Sequence, residues 1–343
     1  MTALHFELPH DLEAAEPPPV RDEVRLMIAR PGADLIHTRF LDLADHLSPG
    51  DLLVVNDSAT LPAALPALRA DGGAVDLHLS TPDPSNPSRW VVEVRSDGHR
   101  ARARAETLQL PHGGKARLIA PYLSPNRLWI AQLDLPEPLL DYLDHHGAPI
   151  RYAHEPTARP LEDHQTIFAT HPGSAEMPSA GRPFTKRALT RLRERGIGVQ
   201  RITLHTGVSS QERGERPYPE RYRVPRATAT AIDATRQNGG RVIAIGTTVV
   251  RALATVTDDR GVVHPGAGWT DLMVTADTPV RSVDGLLTGW HEPESTHLMM
   301  LESFADRDVL GAAYSAALDA GYLWHEFGDS HLIVRASGMG GVA

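Results

Sequence analysis

Apolar and polar positions along this chain change rhythm twice. Through the first 66 residues, short apolar runs alternate with turns. "DLLVVND", Asp51 to Asp57, is an apolar run closed by a polar corner, the pattern of a buried strand. From about Ala67 to Arg151 the segments "AVDLHLS", "RWVVEVR", "ARLIAPYL" and "RLWIAQLDL" read as short strands. Turns such as "TPDPSNPS" and "PHGGK" separate them, which predicts a small β-barrel or sandwich. After about Tyr152 the texture becomes helix and strand in alternation. "FTKRALTRLRERG" reads as a helix stopped by Gly196, "GVQRITLH" as a strand, and "PRATATAIDATRQNGG" as a helix. "RVIAIG" is a strand that runs into the helix "TTVVRALATV". "DLMVT" and "VDGLLTGWH" follow, then the helix "ADRDVLGAAYSAALDAGY" and the strand "SHLIV".

Helix–strand alternation on both sides of the β-rich piece predicts an α/β fold. Residues 1–66 plus 152–335 form the main α/β domain, residues 67–151 an inserted small antiparallel β-barrel domain, and residues 336–343 a loose tail.

Composition narrows the class. The hydrophobic fraction of 41% in 343 residues is ordinary for a globular chain with a sizeable core. No apolar run reaches the roughly 18 residues of a membrane span. The start, "MTALHFELPHDLEAAEPP", has neither the basic nor the apolar part of a signal peptide, so a cytoplasmic protein without membrane partners is expected. There is no cysteine, which excludes disulfides, thiolate nucleophiles and cysteine-held zinc. No metal site is expected, because no H-E-x-x-H, EF-hand or nucleophile-elbow pattern occurs. The net charge of −9 argues against a general polyanion-binding surface. Two basic clusters run the other way. One is Arg100, Arg102 and Arg104; the other, "RPFTKRALTRLRERG", holds Arg187 and Arg191. Arg102, Arg187 and Arg191 are the residues offered to a nucleic acid.

Candidate chemistry collects where apolar strands end. Gly246-Thr247-Thr248 joins a buried strand to a helix. The glycine allows close approach, a threonine can cap, and the helix start offers free N–H groups to an anion. Arg251 lies one turn further on. His205 follows "RITL", and His291 follows "VDGLLTGW". Ser295 or Thr296 suits the cap of the next helix. Asn56 and Asp57 close "LLVV", and Asp271 and Asp329 end the runs "AGWT" and "FG". Each of these residues taken alone also fits an ordinary turn, cap or surface position.

Taken in order, these pieces resemble the S-adenosylmethionine:tRNA ribosyltransferase-isomerase (QueA) family of queuosine biosynthesis. The resemblance rests on "GDLLVVND", "HPGSAEMPSAG", "TLHTG", "GGRVIAIGTTVVRAL", "GWTDL", "VDGLLTGWHEPESTHLMML" with "SFA", and "FGDSHLIV", and it runs from about Phe6 to Val334. It implies an α/β domain carrying an inserted barrel, with S-adenosylmethionine as co-substrate rather than a bound cofactor. It implies transfer of the ribosyl group, isomerised to an epoxycyclopentanediol, onto the aminomethyl group of 7-aminomethyl-7-deazaguanine in tRNA. Adenine and methionine leave. The chemistry needs a base for the C5′ proton and a donor for departing adenine. His205, His291, Asp271 and Glu220 are the catalytic candidates. Asn56, Asp57, Gly246, Thr247, Thr248, Arg251, Ser295, Thr296 and Asp329 are the substrate-binding candidates, with Thr247, Thr248 and Arg251 facing the methionine carboxylate.

The chain also departs from the family pattern. Ala64 stands where the family carries an arginine, Pro183 where it carries a histidine, and Glu294 where it carries a lysine. These departures leave open an S-adenosylmethionine-consuming enzyme with a small-molecule acceptor, or a non-catalytic paralogue. The oligomeric state is not legible.

Overall fold

The computed structural model describes residues 4–96, 99–151, 157–208, 217–293 and 295–335. The expected tail, residues 336–343, and Glu294 lie outside the described residues.

A nine-stranded sheet organises the larger part. Its order is Gly266–Thr270, Glu220–Val224, Gly198–Leu204, Leu52–Asn56, Val242–Ile245, Gly285–Gly289, Ser330–Val334, Arg25–Ala29 and Ile36–Arg39. The four strands from Gly198–Leu204 to Gly285–Gly289 run parallel. Antiparallel strands complete the sheet at both edges. Parallel strands need cover on both faces, and the sequence provides it. Leu52–Asn56 and Val242–Ile245 are buried throughout. Leu52 and Val54 point to one core with helices Arg226–Gln237, Thr247–Thr255, Thr296–Leu301 and Arg307–Asp319. Leu53 and Val55 point to the other, with helix Lys186–Glu194 and the 3-10 turn Phe40–His46. A buried aliphatic side chain of this kind contributes roughly 1.5–3 kcal/mol relative to exposure.

The second sheet is a closed antiparallel barrel. Strands Ala64–Leu68, Ala74–Asp83, Asn86–Ser96, Thr107–Gln109, Lys115–Tyr122 and Ser124–Asp134 form the ring. It closes because Ser124–Asp134 pairs with both Lys115–Tyr122 and Asn86–Ser96. The barrel opens at Ala64 rather than at Ala67, since Pro66 turns outward from a strand whose Leu65 and Ala67 are buried. After helix Leu139–His146, Ala148 returns to bridge Ala64. A buried charge cluster, Glu93 with Arg95 and Arg127, is held among the barrel's apolar side chains. Arg127 also reaches across to the carbonyl of Val208 at 3.4 Å, and Ser80 Oγ accepts from the Val208 amide at 3.1 Å. The barrel is thereby fastened beside the end of Gly198–Leu204.

The basic helix has a clear structural role. Thr185 caps Lys186–Glu194 by accepting from the Ala188 amide. Arg187 pairs with the buried carboxylate of Asp22 at 2.6 Å, Arg191 with Asp42 and Asp45, and Arg195 with Asp45. These arginines fasten the helix to the turns below it, so much of its positive charge is matched in place.

Candidate active site

The carboxyl ends of the parallel strands form a crevice. The strand order changes direction around Leu52–Asn56, the arrangement at which open α/β sheets take ligands. Asn56 spans this point. Its Oδ1 accepts from the Leu204 and Ser58 amides, and its Nδ2 donates to the Leu204 carbonyl and to Thr248 Oγ1. Asn56 therefore ties three strand ends together. Gly246 joins strand to helix at φ 92°, a left-handed conformation that a side chain resists. Thr247 and Thr248 open the helix directly over the crevice.

On one side stands His205. Its Nδ1 is 2.8 Å from Ser58 Oγ, which is 2.6 Å from Ser174 Oγ, and Ser174 accepts from the Thr206 amide at 3.0 Å. Burial first, then the positive charge of Arg221 and neighbouring His171, pushes His205 down to about 4. The imidazole is neutral at physiological pH, a hydroxyl fixes one nitrogen, and Nε2 is left for a ligand. Asp57 completes this side, accepting from Thr203 Oγ1 at 2.6 Å with His171 Nδ1 at 3.3 Å.

Gly173 lets the short strand His171–Ser174 lie against His205. A Cβ there would sit 2.5 Å from His205 Nδ1. Gly173→Ala is expected to push the ring off Ser58 and lower turnover by roughly 10²-fold, with little change in melting temperature. A variant turning over at the wild-type rate would show that the ring's position is immaterial.

On the other side stands His291. Thr288 Oγ1 lies 2.8 Å from its Nε2, and its ring stacks on His297 at 5.1 Å. Burial pushes His291 well below the ordinary range, helped by His297 and His331; burial and Arg251 hold His297 at about 4. His205 and His291 follow strands separated by three inter-strand steps, about 14 Å.

Glu220 and Arg251 form a buried ion pair. Glu220 also accepts from the Gly207 amide at 2.9 Å, and Arg251 donates to the carbonyls of Leu272 and Thr270. The sequence offers Arg251 to a ligand carboxylate, whereas the fold engages its guanidinium with protein acceptors, because Glu220 arrives from the strand beside the sheet's edge. Arg251→Ala is expected to cost about 3–5 kcal/mol of stability by stranding Glu220; denaturant titration measures it, and a loss below about 1 kcal/mol contradicts the pairing.

The remaining candidates disperse. Asp271 is exposed and lies towards the barrel, where burial first, then the carboxylates of Asp83 and Asp271, raise the Tyr122 hydroxyl. Asp329 holds Arg25 and the Leu323 amide. Ser295 caps helix Thr296–Leu301 through the Leu298 amide, and Thr296 opens that helix. Arg102 is exposed on the barrel, its carbonyl bound by Arg69. Ser58, Gly173, Ser174, Thr288 and His297 are absent from the residues singled out by pattern. All five lie inside or directly after the quoted stretches, but nothing local says that Ser58 meets residues 116 and 147 positions away. Among the described residues no cluster of His, Asp or Glu is arranged to hold a metal ion. No helix there is long and apolar enough to cross a membrane.

A parallel-centred sheet with neutral imidazoles at two of its strand ends, a helix N-terminus at the switch point and a barrel fastened alongside defines the α/β class to which the chain belongs. The sequence profile described as queuosine biosynthesis protein matches residues 1–333, and the chain belongs to that family. Curated relatives named S-adenosylmethionine:tRNA ribosyltransferase-isomerase include those of Moorella thermoacetica, 37% identical over 96% of this chain and 98% of that protein, and Pelobacter propionicus, 35% identical over 96% and 98%. A solved structure, S-adenosylmethionine tRNA ribosyltransferase from Thermotoga maritima, is 27% identical, covers 96% of this chain and 99% of its own, and superposes with a TM-score of 0.54.

Proposed function

We propose that this protein is a cytoplasmic S-adenosylmethionine:tRNA ribosyltransferase-isomerase. It moves the ribosyl group of S-adenosylmethionine onto the aminomethyl group of 7-aminomethyl-7-deazaguanine in tRNA, isomerising it to the epoxycyclopentanediol and releasing adenine and methionine. The observation that carries this reading is His205, a buried neutral imidazole at the carboxyl end of its strand with Nδ1 fixed by Ser58. The sulfonium acidifies the C5′ carbon, and a neutral imidazole can take that proton at neutral pH. A second neutral imidazole, His291, follows strand Gly285–Gly289 and can donate a hydrogen bond to departing adenine. The start of helix Thr247–Thr255 suits the methionine carboxylate.

Incubation with S-adenosylmethionine, with and without bulk tRNA carrying the aminomethyl base, tests the reading through release of adenine and methionine. Release that depends on tRNA supports it. Release without tRNA points to a small-molecule acceptor. No release in either case points to a non-catalytic paralogue. The acceptor question has a structural counterpart: Arg182, beside the position where the family pattern carries a histidine, is buried over the Phe327 ring at 4.7 Å.

A further inference from the structure

The sheet edge beyond His205 carries an exposed basic surface that the catalytic reading does not use. In Glu220–Val224 the side chains alternate. Tyr222 and Val224 pack into the core, while Arg221 and Arg223 are exposed on the opposite face. Register extends that face across three strands. Thr203 pairs with Arg223, so Arg201, two residues earlier and exposed, joins the same face. Arg221 pairs with Trp269 on the edge strand Gly266–Thr270. The His205 amide donates to the Arg221 carbonyl at 2.9 Å, which puts His205 in the same row as Arg221 and Trp269. Arg221 is also close enough to help depress the His205 imidazole.

Among the described residues no acid pairs with these cations. Among the described residues, the guanidiniums of Arg201, Arg221 and Arg223 have no ion pair or hydrogen bond. This contrasts with Arg187, Arg191 and Arg195, which are all paired. The nearby carboxylate of Asp57 is held by Thr203 and His171, and exposed Asp271 lies past the ribbon's end towards Tyr122. Trp269 is half-buried and beside Arg221, its ring stacked on no other aromatic side chain among the described residues. Directly opposed Cβ atoms lie about 5 Å apart, and alternate positions along a strand about 7 Å apart. The ribbon thus presents a compact row of planar cations with one indole face, in an acidic protein of net charge −9.

We infer that this ribbon, Arg201, Arg221, Arg223 and Trp269, is the docking surface for RNA, and that it leads a nucleotide to His205. The inference rests on the proposed tRNA reading and replaces the basic helix as the point of contact. Guanidinium forks bind phosphate oxygens bidentately, and an indole face stacks on an unpaired base whatever its sequence. The chemistry favours single-stranded, loop-like RNA, whose bases can be splayed out. Continuity of the row with His205 explains why the charge is placed here.

The test uses full-length protein and bulk tRNA across about 50–200 mM salt, with binding followed by fluorescence anisotropy. The Arg221→Glu, Arg223→Glu double variant should bind tRNA at least about 30-fold more weakly. Its log–log salt slope should fall by roughly 1.4–1.8, two phosphates' worth. Trp269→Ala should lose about 5- to 150-fold, and Trp269→Phe should recover most of it. S-adenosylmethionine affinity by calorimetry and the melting temperature should be unchanged in the arginine variant. If wild-type protein binds tRNA and the arginine variant binds with the same affinity and slope, the surface is wrong and the proposed function stands. If reversing Arg187 and Arg191 flattens the slope instead, the surface is likewise overturned. If wild-type protein shows no salt-dependent tRNA binding, the tRNA reading falls and this surface falls with it. Equal binding of polyglutamate and tRNA overturns RNA as the occupant.

Discussion

His205→Ala is expected to lower the rate of adenine release by about 10²–10⁴-fold, and His291→Ala by a loss in the same range, while both variants melt near the wild-type temperature. The two rings differ in the company they keep. His205 is held by one hydroxyl in a serine chain, and its removal leaves Ser58 still paired with Ser174. His291 is held by Thr288 and stacks on His297, and its backbone carbonyl receives the Trp324 indole N–H, a contact that survives truncation. Because the two rings follow strands about 14 Å apart, they are expected to act on different atoms, and the double variant should lose close to the product of the single losses. Single variants that fold and still release adenine at the wild-type rate would remove the residue from the mechanism. His205→Ala with an unchanged KM and a reduced kcat would match a role in the chemical step.

The second large effect is on stability. His78, His205 and His331 are buried, and burial is the leading cause that pushes them to about 4, 4 and 3 from an ordinary 6.5. The unfolded chain takes up these protons first as pH falls. The stability these neutral rings contribute is therefore complete above about pH 6.5 and is lost as pH falls towards 4. Each ring costs about 1.4 kcal/mol per pH unit in that window. His291 and His297 are depressed by burial in the same way, so all five rings lower stability between pH 7 and pH 5. Denaturant titrations at pH 7.5, 6 and 5 should show this slope, and a stability flat between pH 7 and pH 5 would refute it. His331 isolates one proton. Neither of its ring nitrogens has a hydrogen-bond partner, and it stacks on Trp290 at 4.5 Å. His331→Phe should remove about one fifth of the pH dependence, one ring of five, and raise stability at pH 7 by roughly 1–3 kcal/mol.

Much of this fold is legible without coordinates. "RVIAIG" followed by "TTVVRAL" has the continuous apolar run of a doubly covered strand and then the period of a helix, and the chain forms Val242–Ile245 and Thr247–Thr255 there. Alternating short strands with turn residues between them specify the barrel strands, because period-two patterning and Gly/Pro/Asn turns act over a few residues. "AALPAL" hides its strand, since the pattern treats Pro66 as a break while the barrel accepts it on an outward position. The ordered stretches from "GDLLVVND" to "FGDSHLIV" carry enough local identity to place the chain in its family.

What the sequence by itself determined is the set of elements, their order, and the polar residues at the strand ends. Those follow from propensity, periodicity and capping, which are properties of neighbours in the chain. Only the tertiary structure decided which of those polar groups meet. His205 finds Ser58 across 147 positions, Glu220 takes Arg251 from a prospective ligand, and Asp22, Asp42 and Asp45 neutralise the helix that looked most basic. Arg201, Arg221 and Arg223 become one surface through strand register alone. The reason is geometric: sheet register and strand order fix contacts between residues more than a hundred positions apart. A change of one residue in register would turn each of those side chains to the opposite face.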